Sequence, residues 1–304
     1  MHTLSAHITA QTRRTVRAMG TNVLFTLDAP QSERARLAFD NAVDELGRLE
    51  RIFSRFDASS ELRELERRRV IIGSEELIEV VELAIDARRR SGGRFDPTIL
   101  PSLRALGYDR SIEHVRGTLC SGAVLGHEAG TIAIDHPTGL VALGEGVALD
   151  LGGIAKGWIA DRIATQLAAT APALVDAGGD ISCTPRVGGL PWTVEVAGVD
   201  ETTFLELTAG GIATSGIDRR RWRGPLIAGR DRHHVVDPRT GESADTDLLR
   251  VTVVAGSCAT AEVAATSMLV GSSGALETLG TAYDVAWLAV PTDPTQPHLR
   301  SRGL

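Results

Sequence analysis

The chain has 304 residues, 43% of them hydrophobic and 23% charged, which is the balance of an ordinary globular protein able to bury a substantial core. A formal charge of −7 excludes a general nucleic-acid binder, since that needs a basic face for phosphates, but leaves room for a local anion site. With aromatics at 4% and 32 glycines, the core must rest on aliphatic side chains joined by many tight turns.

Cys120, Cys183 and Cys258 lie far apart with no Cys-x-x-Cys spacing, which argues against a disulfide framework and a thiolate zinc site. Residues 1–15 are polar and expected to be loose, 16–292 form the folded unit, and 293–304 are a Pro-rich tail. The segment Met1 to Arg17 holds His2 and His7 and no apolar h-region, and no apolar run is long enough to span a bilayer. The expected compartment is the cytoplasm, with no membrane insertion.

Arg17 to Leu27 reads as a turn into a strand, with Val23, Phe25 and Leu27 alternating onto one face. A helix follows from Ser32, with Leu37, Val43, Leu46 and Leu49 near helical spacing and Glu45, Arg48, Glu50 and Arg51 decorating the outside. Ser60 is suited to cap a short helix carrying Leu62 and Leu65. Arg67-Arg68-Arg69 follows Glu61, Glu64 and Glu66, so it reads as a solvated helix end. Ser74 opens a helix that runs to about Arg90 and stops at Gly92-Gly93.

The loop Phe95-Asp96-Pro97-Thr98 leads to a short helix at Leu103 to Tyr108 and strands at 131–134 and 140–143. Val147-Ala148-Leu149 reads as a strand entering Asp150-Leu151-Gly152-Gly153-Ile154-Ala155-Lys156-Gly157, then a helix with Ile159, Ile163 and Leu167 on one face. Such a glycine pair lets backbone approach a ligand, and the first helical amides with Lys156 can face an anion. The motif alone is weak, being neither a Walker nor a Rossmann loop, and a plain turn with a solvated lysine fits as well. Further strands are predicted at 173–177, 192–197, 211–214, 251–255 and 285–290, with helices from Ala259 to about Val270 and from Gly274 to about Leu279. Strands and helices mix without regular alternation, which predicts an α+β fold.

Polar turns fall at strand ends: Met19-Gly20-Thr21, Asp96-Pro97, Asp150 to Gly157, Gly178-Gly179-Asp180, Thr214-Ser215-Gly216 and His234 to Gly241. Clustered small residues of this kind suit a cleft for a large polar ligand, although Asp96-Pro97 and Asp237-Pro238 also serve as ordinary turns. His233-His234 lacks the helical spacing of a zinc hydrolase. Glu262 and Thr266 lie four apart on a predicted helix and share one face, an oxygen pair that suits magnesium or a plain helix-face hydrogen bond.

In order along the chain, Met-Gly-Thr at 19–21, Phe-Ser-x-Phe at 53–56, Ser-Glu-Leu at 60–62 and Phe-Asp-Pro-Thr at 95–98 are followed by Asp-Leu-Gly-Gly-Ile-Ala-Lys-Gly at 150–157. Gly-Gly-Asp at 178–180, Ala-Thr-Ser-Gly at 213–216, His-x-x-Asp-Pro-Arg-Thr-Gly at 234–241 and Val-Thr-Val at 251–253 complete the series. Together they resemble the ApbE family of FAD:protein FMN transferases. The resemblance implies a T-fold-related arrangement of mixed sheets and packed helices, with one compact unit or two lobes left open. It implies magnesium-dependent transfer of FMN from FAD to a Thr or Ser hydroxyl of an acceptor flavoprotein, with AMP released.

By the same resemblance, Glu262, Thr266 and a backbone carbonyl at Gly153 would hold the metal. Asp150, Gly153 and Lys156 would meet the pyrophosphate. Met19, Asp180, Thr214 and Ser215 would line the flavin and ribose parts of the cleft, and Asp96 would also bind the cofactor. His234 is the candidate general base, with Asp237 to orient or assist it. The family usually carries Asp where this chain has Glu262, one methylene longer. Two alternatives stand beside transfer: a metal-dependent FAD pyrophosphatase giving FMN and AMP, and a non-catalytic FAD-binding module.

Overall fold

A computed structural model describes residues 10–108, 130–197, 202–223 and 231–303; His2, His7, His114 and Cys120 lie outside them. The chain opens with a hairpin of β1 (Thr12–Ala18) and β2 (Thr21–Leu27), joined by Met19 and Gly20, both at positive φ. Two consecutive positive φ values are what a two-residue hairpin turn with the twist of its strands requires. β1 begins at Thr12, inside the stretch expected to be loose, because its ladder with β2 runs the full length from Thr12↔Leu27 to Ala18↔Thr21.

Three helices start where a serine predicts them. Ser32 caps α1 (Glu33–Phe53), Ser60 caps α2 (Glu61–Arg68) and Ser74 caps α3 (Glu75–Arg90), each side-chain oxygen accepting a first-turn amide. The buried stripe of α1 is Ala35, Phe39, Ala42, Leu46 and Leu49, whereas Leu37, expected on that face, is exposed. Arg69 ends α2 in a left-handed conformation, and its guanidinium reaches the carbonyl of Val147, so the basic run is more than a solvated helix end.

Next come β3 (Val70–Ile72), a strand with no local signature in the sequence, α4 (Leu100–Ala105), β4 (Ile132–Asp135) and β5 (Leu140–Leu143). β3, β5 and β4 form a small antiparallel sheet. The expected strand at Val147–Leu149 is absent. All three side chains are buried, but the bonds at this segment lie outside any ladder: Val147 N donates to Gly144 O, Arg69 Nη1 donates to the carbonyl of Val147, and the next residue, Asp150, donates its amide to Pro97 O.

The remaining elements are α5 (Ala155–Ala168), β6 (Ala173–Ala177), β7 (Ile181–Cys183), β8 (Trp192–Ala197), β9 (Thr202–Leu207), β10 (Gly210–Gly216), β11 (Arg221–Arg223), β12 (Asp231–His233), β13 (Leu248–Ala255), α6 (Cys258–Gly271), α7 (Leu276–Tyr283), β14 (Ala286–Pro291) and β15 (Leu299–Arg300). One eight-stranded antiparallel sheet has the order β1-β2-β6-β7-β10-β13-β14-β15. α5 and α6 pack on it and on each other, and α1 lies against α5. The hairpins β8–β9 and β11–β12 stand apart as two-stranded ribbons. The architecture is α+β with antiparallel sheets. Among the described residues, no helix is long and apolar enough to cross a membrane.

Candidate active site

The site grows from the crossing of α5 and α6. Gly157 sits in the first turn of α5, and a Cβ there would lie 2.6 Å from the carbonyl oxygen of Cys258. Only a residue without a side chain lets the two backbones come this close. Asp161, one turn further along α5, accepts the amides of Cys258 and Ala259 at 2.9 and 3.0 Å and so fixes the start of α6. Replacing Gly157 with alanine is expected to cost about 1–3 kcal/mol by forcing the helices apart, read as a lowered urea midpoint. An unchanged midpoint would show that the crossing is looser than the structure has it.

α6 is buried nearly all round, so its one acidic residue, Glu262, needs internal partners. One carboxylate oxygen accepts the amide of Gly157 at 2.9 Å and the other pairs with the ammonium of Lys156. The same ammonium meets Asp180 Oδ2 at 2.5 Å. Two carboxylates around one lysine hold that lysine protonated, while burial pushes Glu262 above the usual carboxylate range. Thr266, one turn on from Glu262, shares a hydrogen bond with Ser215 at 2.9 Å, and Thr214 pairs with Thr252 on β13 at 2.8 Å.

The Gly152-Gly153 turn is anchored to the 95–98 loop. A Cβ on Gly153 would lie 3.0 Å from the ring of Phe95, and Asp150 N donates to Pro97 O at 2.8 Å. Asp96 is buried and accepts both the amide and the hydroxyl of Thr98, so it builds its own turn while lining the cleft.

His234 follows the β11–β12 ribbon, its amide donating to the carbonyl of Arg220. Its Nδ1 is sealed from solvent, and neither ring nitrogen has a hydrogen-bond partner among the described residues. Burial, followed by the charges of Arg220, His233, Lys156 and Arg55, pushes its pKa down to about 3, so the ring is neutral at physiological pH. Asp237, the expected orienter, is engaged elsewhere. It takes the amide and guanidinium of Arg239, and its carbonyl receives Thr240 and Gly241, which shapes the turn after His234.

All other candidates line one cleft of about 710 Å³: Met19, Asp96, Asp150, Gly153, Lys156, Asp180, Thr214, Ser215, His234, Glu262 and Thr266. That volume falls in the range of cofactor pockets. The cleft also takes in side chains that motif reading passed over. Glu50, expected on the outer face of α1, accepts the amide of Met19 at 2.8 Å and steadies the positive-φ turn. Arg55 occupies the variable position of Phe-Ser-x-Phe, so no motif flagged it.

A family model for the ApbE family matches residues 19–288. The chain belongs to the ApbE family. It is 28% identical over 224 residues to the FAD:protein FMN transferase of Treponema pallidum, a match covering 66% of this chain and 61% of that protein. It is 32% identical over 191 residues to the enzyme of the same name from Chlamydia trachomatis, covering 60% of this chain and 58% of that one. The ApbE protein of Thermotoga maritima superposes with a TM-score of 0.82 at 24% identity, covering 96% of this chain and 97% of that chain. The flavin transferase ApbE of Vibrio cholerae does so at 0.79 and 22%, covering 96% and 97%. At these identities the two structures establish that this ApbE-family chain shares their fold.

Proposed function

We propose that this chain transfers FMN from FAD to a Thr or Ser hydroxyl of an acceptor flavoprotein and releases AMP. The observation that carries the reading is the convergence on one cleft of motifs spread from Met19 to Thr266, in a chain whose relatives are named FAD:protein FMN transferases. In the reaction, the acceptor oxygen attacks the FMN-side phosphorus and a new phosphoester bond forms. The bridging P–O bond breaks, AMP leaves with the bridging oxygen, and the acceptor proton passes to a base.

His234 is that base in this reading. Being neutral, it has a lone pair to offer. In the free protein it is a weak base, first because it is buried and then because cations surround it. A diphosphate dianion placed among those cations cancels part of their field and raises the basicity of the ring. Substrate binding thus prepares the base.

For magnesium, the donor set fits in kind. Glu262 and Thr266 offer oxygens in the cleft wall, and the described residues hold no group of three or more His, Cys, Asp or Glu side chains placed for a metal. One carboxylate supplemented by hydroxyl, carbonyl and substrate oxygens is a magnesium pattern rather than a zinc one. Glu262, Thr266 and the Gly153 carbonyl would hold it, and when bound it would neutralise charge on the diphosphate oxygens.

Incubation with FAD, magnesium and candidate acceptors tests the proposal. Flavin fluorescence that stays with the denatured acceptor supports transfer. Free FMN and AMP without labelled acceptor would make the chain a pyrophosphatase, and bound intact FAD would make it a binding module.

The neutral His234 carries a stability prediction. A histidine with an ordinary pKa near 6.5 when unfolded and about 3 when folded binds more protons in the unfolded state across that window. Its contribution is therefore complete above about pH 6.5 and is lost as the pH falls. At about 1.4 kcal/mol per pH unit, roughly 2 kcal/mol should disappear between pH 6.5 and 5. Urea midpoints across this range should fall less steeply in His234→Gln than in the wild type.

A further inference from the structure

We infer that Arg55 is the side chain that grips the diphosphate of the dinucleotide. The inference rests on the flavin reading above and names a residue that the motifs do not. The glycine turn at 150–157 and its lysine were the expected anion site, but most of its donors are already used. Gly152 N donates to Asp150 Oδ1 at 2.9 Å, Ile154 N and Ala155 N donate to Leu151 O, and Gly157 N goes to Glu262. Lys156 is committed to Asp180 and Glu262, so its charge is already matched twice over.

Arg55 is differently placed. It lines the cleft with its side chain only 8% exposed, and its nearest carboxylate, Asp150 Oδ1, is 3.8 Å from Nε, beyond hydrogen-bond distance. Its hydrogen bond among the described residues runs from Nη1 to the carbonyl of Tyr108 at 3.3 Å. A largely buried cation with so loose a counter-ion leaves its charge to be matched by an anion.

The guanidinium is also held in one orientation. Its carbon lies 4.5 Å from the ring centre of Phe56 and 4.4 Å from that of Tyr108, and Tyr108 stacks on Trp222 at 5.4 Å. Its backbone is fixed as well: Ser54 N closes α1 on Glu50 O, and Ser54 Oγ takes the amides of Phe56 and Asp57. A planar fork pre-set in this way offers paired N–H donors to phosphate oxygens with little ordering left to do. It stands beside Asp150, the first residue of the glycine turn, and lines the same cleft as His234.

Equilibrium titrations with FAD and with riboflavin, read by flavin fluorescence, test this on the wild type, Arg55→Met and Arg55→Lys. Riboflavin carries the ring system without the diphosphate. Arg55→Met should weaken FAD binding roughly 10- to 100-fold, the loss of a charge-assisted hydrogen bond, and leave riboflavin affinity within about 2-fold. Arg55→Lys should fall between, keeping the charge and losing the fork. Melting curves of each variant confirm a folded sample. Equal FAD affinity in wild type and Arg55→Met overturns the inference, and so does an equal loss for FAD and riboflavin, which would assign Arg55 to the aromatic stack alone. A folded wild type that binds no FAD overturns the flavin reading and this inference with it.

Discussion

Replacing His234 with alanine is expected to slow FMN transfer by roughly 10²- to 10⁴-fold, the usual worth of a positioned general base, while FAD affinity stays within a few-fold. The two halves of that expectation have different origins. The rate effect follows from the lone pair of a neutral imidazole in the cleft wall, with no carboxylate holding either ring nitrogen among the described residues. The small binding effect follows because a neutral ring adds no charge with which to hold a diphosphate, which falls to the arginine side of the cleft. The measurement is single-turnover transfer to an acceptor beside a fluorescence titration with FAD. A variant that binds FAD and transfers at the wild-type rate would remove His234 from the chemistry. Asp237→Asn should be milder. That carboxylate serves the Asp237–Gly241 turn through Arg239, so its loss acts on the placement of the segment after His234.

What was legible in the sequence was local. The serine caps at 32, 60 and 74 were readable because a cap is decided within four residues. The alternation of Val23, Phe25 and Leu27 was readable because one face of β2 is buried. Most of the cleft residues could be named because they lie in or beside turns with their own signature, and the resemblance joined those turns to Glu262 and Thr266 on α6. What was not legible was the choice of distant partners. Val147–Leu149 has the composition of a strand, yet the Val147 backbone bonds to Gly144 and Arg69 instead of a neighbouring strand. Glu50 sits among the charges of a helix exterior, and only the return of β1 beside α1 turns it into a support for Met19. Lys156 looks like a free cation in its own segment. Its engagement depends on Glu262, more than a hundred positions later, and on the close crossing that Gly157 permits.

Lys156→Met should lower stability by about 3–5 kcal/mol, the largest stability effect expected of any single substitution in the cleft, measured by urea unfolding near neutral pH. The ammonium lies between Asp180 and Glu262, whose side chains are 8% and 4% exposed. Removing it leaves Asp180 out of water without its cation and drives Glu262, which burial already pushes up, to take up a proton, with a single backbone amide, that of Gly157, still bound to it. Breaking a buried ion pair from one side is far costlier than never having had it, because the uncompensated charge remains. Two consequences separate this account from a simple packing loss. The double variant Lys156→Met, Glu262→Gln should recover much of the stability, since it removes one buried charge of each sign and changes little volume; a packing defect would persist in it. Magnesium should also raise the urea midpoint of Lys156→Met more than that of the wild type, because a cation entering between the carboxylates restores the lost charge, whereas in the wild type it competes with the ammonium for Glu262. Equal midpoints with and without magnesium in the single variant would show that these carboxylates are arranged for the lysine alone.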